Sequence, residues 1–145
     1  MNRFIENSRI LFLDTGPLIR LLQMHPDFYP VVSGVLDLVY DKNMQVLVSA
    51  VTLYEISKKA FDAGNSVLAR QYREFFENSH NVKLVDVNGE VAVKAAELAA
   101  AHHLGIEESL RLSLAYIHGA DCILTESEAF KDYTDIPVVT LEEVF

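Results

Sequence analysis

The run Ile10-Leu11-Phe12-Leu13 is apolar at four consecutive positions and stops at Asp14. A strand with one face in water alternates apolar and polar residues, whereas a strand covered on both faces reads as an unbroken apolar run. Similar short runs follow at Val46-Leu47-Val48-Ser49, Cys122-Ile123-Leu124 and Pro137-Val138-Val139, and at Val82-Lys83-Leu84-Val85 with one lysine inside. Helical spacing fills the intervals. Thr15-Gly16-Pro17 opens a helix through Leu22 with proline in its first turn. Tyr29 to Lys42 carries apolar residues at 31, 32, 35, 36, 38 and 39. Further helices are predicted from Val51 to near Gly64, over Val67 to Phe76, over Glu90 to His103 with Gly105 as the stop, and over Glu107 to His118. Thr140-Leu141-Glu142-Glu143 caps a last helical turn. Short buried strands alternating with helices predict an α/β sandwich in three layers: a mainly parallel sheet of about five strands with helices on both faces.

No repeat, low-complexity tract or long linker interrupts this pattern, and 145 residues accommodate one domain, 1–145. Half of the residues are apolar, enough for a core without disulfide staples. The lone Cys122 sits inside an apolar run, where a buried, inert thiol and a reducing compartment are expected. No apolar run approaches the roughly 20 residues of a membrane span. Glu6, Asn7, Ser8 and Arg9 interrupt any leader-like apolar segment near Met1, so a soluble, cytoplasmic protein is expected. The net charge of −9 disfavours a broad phosphate-binding surface but leaves room for local basic patches and for carboxylates gathered around a cation.

In open α/β sheets, ligands bind at the carboxyl ends of strands, where the strand order switches direction. Acidic residues follow several of the predicted strands. Asp14 closes the first, Glu55 lies about a turn past the second, and Glu126 and Glu128 follow Leu124-Thr125. Glu107 and Glu108 open the helix that precedes that last strand. Each has a structural reading: Thr52-x-x-Glu55 and Thr125-x-x-Glu128 fit capping boxes, and Glu107 and Glu108 complement a helix dipole. Asp14 is harder to assign this way. A carboxylate closing a fully apolar strand needs water, a cation or donors such as the N–H groups of the Gly16-Pro17 turn. Several carboxylates at one edge repel unless a cation neutralises them, and hard oxygen ligands suit Mg²⁺ or Mn²⁺. Such an ion can activate water against a phosphate ester.

These residues resemble a known family. Phe12-Leu13-Asp14-Thr15-Gly16-Pro17-Leu18 and Val48-Ser49-Ala50-Val51-Thr52-Leu53-Tyr54-Glu55 are similar to the first two motifs of PIN-domain proteins. Gly105-Ile106-Glu107-Glu108-Ser109-Leu110, then Gly119-Ala120-Asp121-Cys122-Ile123-Leu124-Thr125 through Phe130, resembles their C-terminal half. The likeness runs from about residue 10 to 140. It implies a PIN-like sandwich and a metal-dependent endoribonuclease, most commonly the VapC-type toxin of a toxin–antitoxin pair. By the same resemblance Asp14, Glu55 and Glu108 hold Mg²⁺ or Mn²⁺; Glu126 or Glu128 can swing in beside them, and Glu126 is expected to assist catalysis. Thr15, Thr125 and Ser127 support the site. Two departures stand out: the third acid, usually Asp, is Glu108, and the fourth acidic position falls on the neutral Ser127. RNA as substrate, an antitoxin seated in an apolar helical groove, and a homodimer are further expectations of the resemblance.

Lys58, Lys59, Arg70 and Arg73, with Tyr72 among them, read either as a solvated helical face or as a strip guiding an RNA strand, Tyr72 offering a stacking surface. Arg111 lies three residues after Glu108 and either neutralises that acid or touches a phosphate. The histidines 25, 80, 102, 103 and 118 form no His-x-x-x-His pair, so zinc is disfavoured. His102 and His103 read as cations at a helix carboxyl end. No glycine-rich phosphate loop or Gly-x-Ser-x-Gly elbow occurs. The rival readings are a catalytically silent PIN-like module binding protein or RNA, and a phosphoesterase acting on small molecules.

Overall fold

A computed structural model describes residues 1–133 and 135–145. The described residues form, in chain order, α1 (Arg3–Glu6), β1 (Ile10–Leu13), α2 (Thr15–Leu22), α3 (Tyr29–Asp41), β2 (Gln45–Ser49), α4 (Ala50–Asp62) and α5 (Ser66–Asn78). There follow β3 (Val82–Val85), α6 (Gly89–His102), α7 (Ile106–Ile117), β4 (Cys122–Thr125) and β5 (Val138–Thr140). Short 3-10 turns cover Glu128–Asp132 and Leu141–Glu143. The strands form one sheet in the order β3-β2-β1-β4-β5, with every pairing parallel. This is the α/β architecture that the alternating pattern predicts.

The apolar runs divide by parity. Leu11 and Leu13 of β1, Val46 and Val48 of β2, and Cys122 and Leu124 of β4 face one core, which α1, α2, α3, Ile56 of α4 and Phe76 of α5 cover. Phe12, Leu47 and Ile123 face the opposite core, packed against Val91 and Leu98 of α6 and Leu112, Leu114 and Ala115 of α7. Burial on both sides explains why no strand position among these could be polar.

Where the chain leaves β1 it goes to β2 on one side, and it returns from β3 through α6 and α7 to β4 on the other. The strand order therefore switches between β1 and β4, and Asp14 and Thr125 stand side by side at that point. At the amino ends of the same two strands, the Asp121 carboxylate accepts hydrogen bonds from the backbone N–H groups of Arg9 (2.9 Å) and Ile10 (3.0 Å).

Several local expectations are corrected. Ser49, whose hydroxyl accepts from the Val51 N–H at 2.9 Å, caps α4, so Thr52 lies inside the helix and Thr52-x-x-Glu55 is no capping box. Thr125 is the last residue of β4 and accepts from the Ser127 N–H at 2.9 Å; Ser127 precedes the following 3-10 turn. Helix α6 is stopped by His103 in the left-handed region at φ 56°, while Gly105 is the extended residue that begins α7. Helix α1 is too short to show an apolar period and was not expected from the sequence.

Candidate active site

Asp14 occupies the N-cap position of α2 but makes no capping bond there, so its carboxylate remains available to other groups. The Gly16-Pro17 turn does not supply its donors. The residue is 2% exposed and its carboxylate receives two short hydrogen bonds, from Arg111 Nε to Oδ1 at 2.6 Å and from Thr125 Oγ1 to Oδ2 at 2.7 Å. Arg111, 8% exposed, also donates from Nη1 to Glu55 Oε1 at 2.8 Å. One guanidinium from α7 thus bridges an acid at the end of β1 and an acid on α4.

The network extends on both sides of this bridge. Thr15 Oγ1 donates to Glu55 Oε1 at 3.3 Å and lies 2.7 Å from Thr52 Oγ1 in a buried hydroxyl pair. With Thr15 donating to the carboxylate, the Thr52 hydroxyl is left to donate to Thr15. On the other side, Thr125 accepts from the Ser127 N–H, and Ser127 Oγ donates to Glu108 Oε2 at 3.1 Å. Asp14, Glu55, Glu108, Thr15, Thr125 and Ser127 therefore belong to one connected hydrogen-bonded system. Glu55, Glu107, Glu108, Gly105, Ile106 and Arg111 line an open pocket of about 510 Å³ beside it.

Its electrostatics are set by burial and by Arg111. Desolvation raises the pKa of the Glu55 carboxyl above its ordinary value, with the carboxylates of Glu107 and Asp14 adding to the rise and Arg111 opposing it. Burial pulls the Arg111 guanidinium down, but Asp14 and Glu55 more than offset this, so it is held charged, above its ordinary value.

The sequence expectations fare unevenly. Asp14 and Glu55 meet on a single cation, and that cation is Arg111. Glu108 joins the network through Ser127 and does not share a point of convergence with the other two. Among the described residues, no three Asp, Glu, His or Cys side chains group closely enough to hold a metal ion. The Arg111 guanidinium lies between the Asp14 and Glu55 carboxylates, and Glu108 is held apart by Ser127. Arg111 accordingly neutralises Asp14 and Glu55, not Glu108.

Glu126 is turned to Arg20 (Nε to Oε1, 2.9 Å) and lies against Gly16, where a Cβ would come within 2.3 Å of its Oε2. Of the five cations expected along an RNA path, only Arg111 lines the acidic pocket. Lys58 pairs with Asp62 and Arg73 with Glu77 along their own helices, Lys59 borders an apolar groove, and Arg70 is exposed on α5. Thr52 and Arg20 were missed. The i,i+3 spacing of Thr52 and Glu55 was a usable signal, because it places both on one helix face.

As a donor set, the carboxylates of Asp14, Glu55 and Glu108 with the hydroxyls of Thr125 and Ser127 are hard oxygens suited to Mg²⁺ or Mn²⁺. Asp14 and Glu55 already act as a cation-binding pair, with the guanidinium as stand-in. The residues fit a divalent ion in chemistry, while in the structure the Arg111 guanidinium holds Asp14 and Glu55.

The PIN domain family profile matches residues 11–136. Similar solved structures include VapBC2 from Rickettsia felis bound to a promoter DNA fragment, with a TM-score of 0.71 at 18% identity, covering 90% of this chain and 98% of that one. VapBC-1 from nontypeable Haemophilus influenzae gives 0.71 at 20% identity over 92% and 98% of the two chains. A toxin–antitoxin complex from Klebsiella pneumoniae gives 0.65 at 19% over 90% and 97%. At these identities the likeness is one of fold. No curated protein matches the chain.

Proposed function

The chain belongs to the PIN-domain family, and from that membership we propose that it is a nuclease hydrolysing RNA phosphodiester bonds with Mg²⁺ or Mn²⁺, the toxin of a toxin–antitoxin pair acting in the cytoplasm. The observation that carries this reading is the convergence of two carboxylates, Asp14 and Glu55, on one cation at the switch between β1 and β4. Asp14, Glu55 and Glu108 would hold the ion, with Thr125, Thr15 and Ser127 fixing their respective carboxylates through the bonds described above. The chemistry such an ion supplies when bound is activation of water toward phosphorus and relief of charge on the leaving oxygen. The open pocket on the Glu55–Glu108 side gives a strand room to approach, and Arg111 is the cation there to meet a phosphate. Glu126, engaged with Arg20, supports the start of α2 in this reading.

A partner groove fits the same reading. Ile19, Leu22, Ile56, Ala60, Leu68 and Tyr72 line an apolar cleft of about 260 Å³ between α2, α4 and α5, suited to the apolar face of an antitoxin helix. Tyr54, Phe61, Val67 and Phe75 are exposed on the neighbouring surface of α4 and α5, which supports pairing of two copies. No helix among the described residues is long and apolar enough to cross a membrane.

The deciding experiment is cleavage of a fluorophore-quencher oligoribonucleotide in millimolar Mn²⁺. Cleavage that EDTA stops and Asp14→Asn abolishes is expected; undiminished cleavage by Asp14→Asn would remove that residue from the reaction. The second reading, a silent RNA- or protein-binding module, is favoured by Arg111 filling the cation seat and by the neutral Ser127. Retained RNA binding without cleavage at any Mn²⁺ concentration would select it.

A further inference from the structure

We propose that Arg111 is an internal competitor for the cation seat, its guanidinium and a divalent ion occupying Asp14 and Glu55 in alternation. The inference rests on the metal-dependent reading above and adds to it a closed resting state that this chain carries in its own sequence.

Three oxygens of the pair are committed in the structure. Asp14 Oδ1 accepts from Arg111 Nε, Asp14 Oδ2 from Thr125, and Glu55 Oε1 from Arg111 Nη1 and Thr15. The Arg111 N–H groups take the lone pairs on which a metal ion depends. Asp14 is 2% exposed and Arg111 8%, so two cations on the same oxygens would repel with little solvent screening. Metal entry therefore requires Arg111 to leave.

The structure also provides a destination. Arg111 lines the open pocket of about 510 Å³ together with Glu107 and Glu108. Those acids lie four and three residues earlier on α7, and an acid one turn amino-terminal to an arginine is the favourable order for a helical ion pair. Glu107 is exposed and belongs to no ion pair among the described residues. A rotation of the Arg111 side chain within its own helix exchanges Asp14 and Glu55 for the Glu107 carboxylate, leaves Glu108 to the ion, and vacates the seat. The cost of that exchange lowers the apparent affinity for metal by the fraction of molecules with Arg111 out.

The test is a Mg²⁺ titration of the ¹⁵N-labelled wild-type chain, following the Arg111 Nε–H signal, assigned by its loss in Arg111→Lys. Calorimetry of Mg²⁺ binding to wild type, Arg111→Met and Asp14→Asn accompanies it. The buried Nε–H signal is expected to move to a solvent-exposed position in step with binding. Arg111→Met is expected to bind Mg²⁺ about tenfold or more tightly, as for a seat open in about one molecule in ten at rest. Two results would overturn the competition while leaving the metal site intact. In one, Mg²⁺ binding that is lost in Asp14→Asn leaves the Nε–H signal unmoved; in the other, a folded Arg111→Met binds no more tightly than wild type. Absence of binding to both proteins would overturn the competition and the metal reading together. Should Arg111→Met not fold, the wild-type titration decides alone.

Discussion

Replacing Asp14 by alanine removes one of two carboxylates that compensate a guanidinium buried to 8% exposure. Removing one partner of a buried ion pair costs about 3–5 kcal/mol, and the retained bond to Glu55 places Asp14→Ala near the lower end, about 3 kcal/mol. Thr125 loses the acceptor of its hydroxyl, which adds about 1 kcal/mol. Arg111→Met leaves Asp14 with Thr125 alone and costs roughly 3 kcal/mol by the same reasoning. Once Asp14 is gone, however, Arg111 has less to lose, and the double variant should cost about 5 kcal/mol where independent sites would cost about 7. Urea denaturation followed by circular dichroism, in EDTA and with all four proteins at one pH, measures the cycle. At roughly 2–4 °C per kcal/mol for a chain of this size, Asp14→Ala should also melt about 8–16 °C below wild type. Additivity of the two substitutions within about 0.5 kcal/mol would refute the ion pair as the link between β1 and α7.

Three further outcomes are expected. Glu55 has a raised native pKa, so the native state binds more protons than the unfolded state above the ordinary carboxyl value and its contribution to stability declines as pH rises through that window. The stability of wild type relative to Glu55→Gln should therefore fall as pH rises above the ordinary carboxyl range in paired denaturation curves, and a rising difference would contradict the burial argument. His103→Gly relieves a left-handed residue at the carboxyl end of α6 and should raise stability by about 0.5–1 kcal/mol, read as a higher melting temperature. The Cys122 thiol is fully buried and pushed up to about 12, so Ellman's reagent at pH 8 should react with it only after denaturant is added.

The sheet was legible because its strands are buried on both faces, and that condition writes itself into consecutive residues such as Ile10 to Leu13. The helices were legible for the complementary reason, an apolar stripe at period 3.6. Boundaries decided by a single hydrogen bond were not. Ser49 and Thr52 are both plausible caps in one dimension, and the choice depends on where β2 ends. The glycine before α7 looked like a stop for α6, yet His103 takes that conformation, because a cap depends on chain direction and not on residue type alone.

At the candidate site, Asp14 and Glu55 stood out because carboxylates follow the strands, but their occupant did not. Arg111 reaches 97 residues back in the chain to Asp14 and 56 to Glu55, a meeting that only the packing of α7 against β1 and α4 creates. Local spacing pointed it toward Glu108 instead. The partner of Glu126 was hidden for a similar reason, since Arg20 lies 106 residues away and the carboxylate packs where Gly16 has no side chain.

Two aspartates with opposite duties stand at opposite ends of the central strands. Asp121 grips the backbone at the entry of β1 and so ties the start of β1 to the start of β4. Sliding β1 by one residue against β4 would tear that grip and turn Leu11, Phe12 and Leu13 each toward the wrong layer. That grip adds to the backbone ladder and the two buried faces in setting the height at which Asp14 meets Thr125. A chemist wishing to retune the pocket without touching any group inside it would begin at Asp121.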